Sequence, residues 1–295
     1  MKYHGLHIGI DYANDRQSAL SKCIQDAKRM RASFSPDCAS SRSLLEAEAT
    51  KNGIVQAILQ LWTVGDPSDM AIITYSGHGT KMPARGGGEA DGQDEAFVPY
   101  DFRRGNLLTD NELAVLLSRR PQGKPVLLIT DCCHSGTIAR SVLTDVRYLP
   151  FSEIIAGMAP DRVESLYSTT RANLPDGVTD GVAHIAGCQD DEFSYENSNG
   201  GVLTETLLAE KAKLAKGATI SDWFARTVVH FPTRKYPQNP QFNAGAKEAA
   251  WFVPGFEPEE LPPVVQPGGD QPRGSVRMID ADGVEWRAIG WERVK

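Results

Sequence analysis

The stretch Met70-Ala71-Ile72-Ile73-Thr74-Tyr75-Ser76-Gly77-His78-Gly79 decides how this chain folds. Its first six residues are nearly all apolar, as in a strand covered on both faces at the centre of a parallel sheet. The run then breaks at two glycines that flank a histidine. Residues 124–130 repeat the pattern, with an apolar run followed by Asp131-Cys132-Cys133-His134-Ser135-Gly136. In an open parallel sheet, ligands bind outside the carboxyl ends of the strands. A His and a Cys far apart in sequence are thereby expected to face one crevice.

Outward from these two runs, short apolar segments alternate with segments of helical period. That is the pattern of an α/β protein with a mainly parallel central sheet and helices on both faces. Residues 6–10 read as the first strand, and Leu20, Cys23, Ile24 and Ala27 place a helix over residues 23–30. Thr50 is read as the cap of a helix through Ile54, Ile58, Leu61 and Trp62. Thr109-Asp110-Asn111-Glu112 has the form of a capping box, opening a helix through Leu113, Leu116 and Leu117.

After Gly136 the pattern weakens among Pro150, Pro160, Pro175, Gly177 and several arginines, which predicts an exposed linker. Order resumes with a strand over residues 182–188 and helices over 203–214 and 220–231, the latter begun by a Ser/Thr cap at Thr219. Proline and glycine over residues 254–273 predict that the compact body ends near Phe256. An Asp282-Gly283 turn beyond them predicts a small hairpin carrying Val276, Met278, Val284, Trp286, Ile289 and Trp291. The expected division is a region over residues 1–140 that carries both strand ends, a linker over 141–180, a second region over 181–256 and a tail over 257–295.

The composition of the 295 residues, 41% hydrophobic and 23% charged, is that of an ordinary globular protein. A formal net charge of -7 and the lack of a basic run argue against nucleic acid as a partner. Residues 1–15 lack the basic start and apolar stretch of a signal peptide, and no apolar run has the length of a membrane span. Five cysteines without framework spacing suit a reducing compartment. The expectation is a cytoplasmic monomer that acts on proteins or peptides, with no nucleic-acid or membrane partner.

A free thiol, pKa ~8.5, is only a few per cent thiolate at neutral pH, so an imidazole beside it is needed to activate it and to protonate a leaving amine. Gly79 leaves its N–H unobstructed, and with the N–H of Cys133 it would hold the oxyanion of a tetrahedral intermediate. Taken alone, a Cys and a His at two strand ends are more often a structural thiol and a turn histidine. Cys132, Cys133 and His134 do not suit zinc, since adjacent residues cannot all reach one tetrahedral ion.

The wider context reverses the balance. Tyr75-Ser76-Gly77-His78-Gly79, together with Asp131-Cys132-Cys133-His134-Ser135-Gly136, resembles the two catalytic segments of metacaspases, the caspase-like proteases of bacteria, protists, fungi and plants. Leu20-Ser21-Lys22-Cys23-Ile24-Gln25-Asp26-Ala27 and Ile185-Ala186-Gly187-Cys188-Gln189-Asp190-Asp191 resemble two further family segments, so the likeness covers residues 1 to about 256 and leaves the tail out. The resemblance implies a caspase-like three-layer sandwich, with His78 as acid/base and Cys133, directly before His-Ser-Gly, as nucleophile. It also implies cleavage after Arg or Lys. Asp26 and Asp131 would meet the substrate cation, and Cys23 and Ser76 would complete the pocket walls.

A carboxylate facing a guanidinium in a partly dry pocket makes a charge-assisted pair and penalises a neutral side chain. Read structurally instead, Asp26 is an acid in the first turn of a helix and Asp131 caps a turn. The family likeness further implies a calcium site at Asp94, Asp110 and Asn111, near the acid-rich Glu89-Ala90-Asp91-Gly92-Gln93-Asp94-Glu95. Here the sequence departs from the pattern, because position 111 is a neutral amide and Arg140 stands where a further acid is expected. No cofactor is required by this reading, and calcium enters as a candidate activator.

Arg140, Arg147, Arg162 and Arg171 in the expected linker are equivalent candidates for self-cleavage. The rival reading is a non-catalytic or effector-gated caspase-like module that binds a partner protein, with the tail as inhibitor or docking element.

Overall fold

The apolar run around Ile72 lies in the middle of a six-stranded sheet. The computed structural model describes residues 1–83, 93–133, 146–166, 180–189, 192–258, 277–279 and 285–287. Its strands are β1 (Tyr3–Gly9), β2 (Cys38–Leu45), β3 (Met70–Ser76), β4 (Gly79–Pro83), β5 (Gln93–Phe97), β6 (Leu108–Thr109), β7 (Val126–Asp131), β8 (Val182–Ala186), β9 (Glu196–Asn197), β10 (Gly200–Gly201) and β11 (Gln241–Asn243). The large sheet runs β11-β8-β7-β3-β1-β2. All its pairings are parallel except that of β11, an antiparallel edge strand on β8.

The principal helices are α1 (Cys23–Phe34), α2 (Lys51–Leu61), α3 (Asp110–Ser118), α4 (Phe151–Ile155), α5 (Pro160–Leu166), α6 (Val202–Lys211), α7 (Ile220–His230) and α8 (Ala246–Ala249). Strand β3 explains how they are layered. Ala71, Ile73 and Tyr75 face one core, which also holds Ile54, Ile58 and Leu61 of α2 and Leu113, Leu116 and Leu117 of α3. Met70 and Ile72 face the other core, with Met30 and Phe34 of α1, Leu203 and Leu207 of α6, and Ile220 and Trp223 of α7. Alternate residues of one continuous apolar run are thus consumed by two helix layers. The three-layer α/β sandwich is as the sequence predicts.

The predicted caps form as well. Thr50 accepts the Gly53 N–H at 3.0 Å, while Thr109 with Glu112 and Thr219 with Asp222 close complete capping boxes. Each satisfies amide groups that the first helical turn leaves without carbonyl partners.

One expectation needs correction. The stretch after Gly136 is not exposed throughout: Val146, Arg147, Tyr148 and Leu149 are all buried, and α4 and α5 follow them. Arg162 is exposed on α5. Glu89, Asp91, His134, Ser135, Gly136, Arg140 and Arg171 lie outside the described residues.

Residues Met1–Pro258 form one compact unit and Glu259–Lys295 a second. In the second, β12 (Arg277–Ile279) pairs antiparallel with β13 (Glu285–Arg287), Met278 opposite Trp286. Among the described residues no helix is long and apolar enough to cross a membrane.

Candidate active site

Chain order and sheet order part company between β1 and β3. From β1 the chain moves outward to β2, then returns past β1 to β3 and onward to β7. Such a switch point opens a crevice at the carboxyl ends of the strands. The register brings Ser76, the last residue of β3, opposite Asp131, the last residue of β7. His78 and Cys133 each lie two residues beyond their strand ends, so an equal offset on parallel neighbours carries both towards the crevice. Both are fully buried.

The His78 ring stacks on Tyr12, with centroids 4.9 Å apart, and its Nε2 lies 2.8 Å from the Ser18 carbonyl oxygen. A carbonyl only accepts, so Nε2 carries the proton and the lone pair of the neutral ring sits on Nδ1. Its backbone is pinned by tyrosines: Tyr12 Oη accepts the His78 N–H at 3.0 Å, and Tyr75 Oη donates to the His78 carbonyl at 2.8 Å. Cys133 Sγ lies 3.7 Å from the Ser194 carbonyl. Burial pushes the neighbouring Cys132 thiol well above its ordinary pKa. Cys188, hydrogen-bonded to Cys133 and itself buried, is also pushed up.

The N–H groups of Gly79 and Cys133 converge on a single oxygen, at 3.1 and 3.2 Å. That oxygen is the main-chain carbonyl of Arg147. The Arg147 side chain, 0% exposed, runs into a pocket of acids. Nη2 lies 2.5 Å from Asp26 Oδ2 and 3.5 Å from Glu196 Oε2, and Nη1 lies 2.9 Å from Asp131 Oδ2. Nη1 also donates to Ser76 Oγ at 2.8 Å. Burial works against the guanidinium, yet Asp131, Cys23, Asp26 and Glu196 together hold its pKa well above the usual value.

The structure therefore gathers Asp26, Ser76, Asp131, Gly79 and Cys133 around one arginine. Cys23 opens α1 beside them, its N–H donated to Asp11 Oδ1 at 2.6 Å and its thiol pushed up by burial. Two pocket residues escaped the sequence reading. Glu196 comes from the short β9 and is anchored by the N–H and hydroxyl of Ser21, at 3.0 and 2.9 Å. Gly201 forms a wall, since a Cβ there would collide with Asp131 Oδ2 and the Arg147 guanidinium. Neither position carries a periodic or motif signal.

The three residues expected to hold calcium are partly together. The Asn111 N–H meets Asp110 Oδ1 at 2.8 Å, and its side-chain nitrogen faces Asp94 Oδ1 at 3.4 Å. Among the described residues no group of three or more His, Cys, Asp or Glu side chains surrounds one point. Calcium takes six to eight oxygens, largely from carboxylates. The residues described do not fit that demand.

Residues 4–141 match the family model described as metacaspase, peptidase C14 domain. Metacaspase-6 of Arabidopsis thaliana is 35% identical over 148 residues, 46% of this chain and 39% of its own length. Metacaspase-1 of the same plant is 32% identical over 212 residues, 67% of this chain and 54% of its own. Metacaspase-2 of Trypanosoma brucei brucei is 28% identical over 209 residues, 66% of this chain and 56% of its own. The chain thus spans about half the length of these curated relatives. The crystal structure of protein GSU0716 from Geobacter sulfurreducens superposes with a TM-score of 0.71 at 26% identity, covering 88% of this chain and 100% of that one. With the match running from β1 past the strand ends that carry His78 and Cys133, this chain belongs to the metacaspase family of C14 peptidases.

Proposed function

We propose that the chain is a cysteine endopeptidase that cuts proteins after Arg or Lys, with Cys133 as nucleophile and His78 as its acid/base partner. The observation that carries this reading is the placement of Arg147. Its guanidinium lies among Asp26, Asp131 and Glu196 while its carbonyl oxygen receives two main-chain N–H groups, one of them from Cys133 itself. One residue thus spans a cluster of acids and a pair of converging N–H donors, which supports cleavage after a basic residue.

In the reaction, the Cys133 thiolate adds to the substrate carbonyl carbon and the charge that develops on oxygen is held by the N–H groups of Gly79 and Cys133. The C–N bond breaks as His78 protonates the departing amine. Water, deprotonated by His78, then hydrolyses the thioester and frees the thiol. The ring orientation supports this role, because the bond from Nε2 to Ser18 leaves Nδ1 as the basic nitrogen. Calcium stays outside this scheme as a candidate activator.

Peptides bearing a fluorogenic group after Arg, Lys, Asp or Leu test the reading directly. Hydrolysis after Arg or Lys that is absent in Cys133→Ala supports it. Cleavage after Asp, or equal release by Cys133→Ala, overturns it. A folded protein inert towards every peptide returns the balance to a regulatory module.

A further inference from the structure

Among the described residues only two that are not glycine have left-handed backbone, Tyr12 with φ 54 and Glu46 with φ 47. A side chain crowds the backbone in that conformation, so such residues cost energy and persist only where their surroundings hold them. These two hold each other. The Glu46 carboxylate, just past β2, accepts the Ala13 N–H at 3.3 Å and also faces the N–H groups of Tyr12 and Asp11. Three successive amides are thereby gathered on one acid, and the bend at Tyr12 is fixed.

The bend has two effects on His78. It starts a turn in which the Asp15 N–H donates to the Tyr12 carbonyl at 2.8 Å, the Ser18 N–H to the Asp15 carbonyl at 3.0 Å, and the Leu20 N–H back to the Asp11 carbonyl at 2.8 Å. That turn delivers the Ser18 carbonyl to His78 Nε2. The bend also sends the Tyr12 side chain inward, 1% exposed, where its ring lies against the His78 ring with the planes 27° apart. Phe102 packs edge-on against the same tyrosine, centroids 5.8 Å apart. The Tyr12 hydroxyl takes the His78 N–H and passes its own proton to the Val98 carbonyl at 2.6 Å. Gly77 is small for this reason, since a Cβ there would lie 2.8 Å from Tyr75 Oη and 3.1 Å from Tyr12 Oη.

We infer that Tyr12 is a positioning residue for His78. Its ring fixes the plane of the imidazole, its hydroxyl fixes the His78 backbone, and its left-handed bend, held by Glu46, aims the carbonyl that keeps the ring proton on Nε2. The face of an aromatic ring also attracts a cation, so the stack favours the imidazolium formed when His78 takes a proton. The inference rests on the proposed role of His78 and goes beyond it by naming the residues that keep Nδ1 turned to its work.

A tyrosine that only fills the core would lower stability when truncated and leave the surviving folded molecules normal, so the test reads the ring and the turnover separately from the fold. Full-length wild type, Tyr12→Phe, Tyr12→Leu and Glu46→Ala are compared by melting curve and by kcat and KM on an Arg-fluorogenic peptide, with active sites titrated. Long-range proton–nitrogen correlation of the histidine rings reports the tautomer, and His78→Gln assigns the signal. Tyr12→Leu is expected to lower kcat about 100-fold, the scale of a group set about 1 Å out of place, with KM within about two-fold and the single Nε2–H signal of His78 lost. Tyr12→Phe keeps the stacked ring, retains the tautomer signal and loses no more than about 10-fold in kcat, as for one hydrogen bond. Glu46→Ala releases the bend from outside and moves kcat and the His78 signal in the same direction as Tyr12→Leu, which holds the test open should Tyr12→Leu fail to fold.

Folded Tyr12→Leu with the turnover of wild type, a loss carried by KM alone, or an unchanged His78 signal would overturn the inference and leave the proposed activity standing. A folded wild type that hydrolyses no peptide would sink the activity and the inference together, and the two failures are told apart by the wild-type rate.

Discussion

Asp131 Oδ2 lies 2.9 Å from the Arg147 guanidinium and is gripped from behind by Thr204, through its hydroxyl at 2.7 Å and its N–H at 3.1 Å. Thr204 stands in the first turn of α6, where amide groups have no helical carbonyl partner. Ser194 Oγ holds the other carboxylate oxygen at 2.7 Å. The acid is therefore aimed before any substrate arrives. Thr204→Val removes one hydrogen bond to a charged group, about 1.5–3 kcal/mol. The expected outcome is a kcat/KM for Arg peptides about 10- to 100-fold lower, borne mainly by KM, and steady-state kinetics check it.

Gly201 gives a steric counterpart. A methyl group at this position meets Asp131 Oδ2 and the guanidinium, so Gly201→Ala fills the space the cation needs. Overpacking of this kind costs about 1–3 kcal/mol. We expect Arg and Lys peptides to lose about 10- to 100-fold in kcat/KM, with a lowered thermal midpoint as well, since the added methyl also meets the chain's own Asp131 and Arg147. A melting curve alongside the kinetics distinguishes a filled pocket from a broken fold.

Burial pushes the Asp26 carboxyl up to about 6, against the pull of the Arg147 guanidinium. An acid carries its charge above its pKa, so acidification through about pH 6 neutralises Asp26 and removes one of the charges that hold a basic side chain. KM for Arg peptides is expected to rise below that pH. In Asp26→Asn the same inflection should be missing from a KM profile, and an unaltered profile would contradict the assignment.

Chelation bears on the acids near α3. Asn111 turns an amide nitrogen towards Asp94, and the described residues offer no cluster of acids at one point. Hydrolysis of Arg peptides is expected to persist in chelator within about two-fold of its rate in calcium, on the coordination demand of that ion. A collapse of activity in chelator would return calcium to the scheme.

What the sequence made legible was local or strongly patterned. Thr50, Thr109 and Thr219 announce helix starts because a cap needs only a hydroxyl and the next few residues. Continuous apolar runs announce β3 and β7, and from their ends the positions of His78, Cys133, Ser76 and Asp131 follow. Strand β2 was missed because Cys38-Ala39-Ser40-Ser41-Arg42-Ser43 is an edge strand with little apolar character. The small sheet of β4, β5 and β6 was missed for want of any long run.

The sequence names Arg147 only as one of four equivalent linker arginines and does not show its burial among acids, for a physical reason. Hydropathy registers a buried residue only through its apolar surface, and an arginine buried by charge carries none of that signal. Its partners come from α1, β7 and β9, so no window of sequence contains them together. Glu196 and Gly201 share the difficulty, lying on two-residue strands too short to show a period.

The tether of Arg147 sets a thermodynamic standard for whatever else would enter the crevice. A ligand joined to its own site by a short stretch of chain acts at an effective concentration of about millimolar, whatever the dilution of the protein. A free peptide at micromolar concentration offering the same single arginine is then outcompeted roughly a thousandfold. Compounds screened against this chain would accordingly be ranked by their power to displace Arg147 as well as by their own affinity for the acids around it.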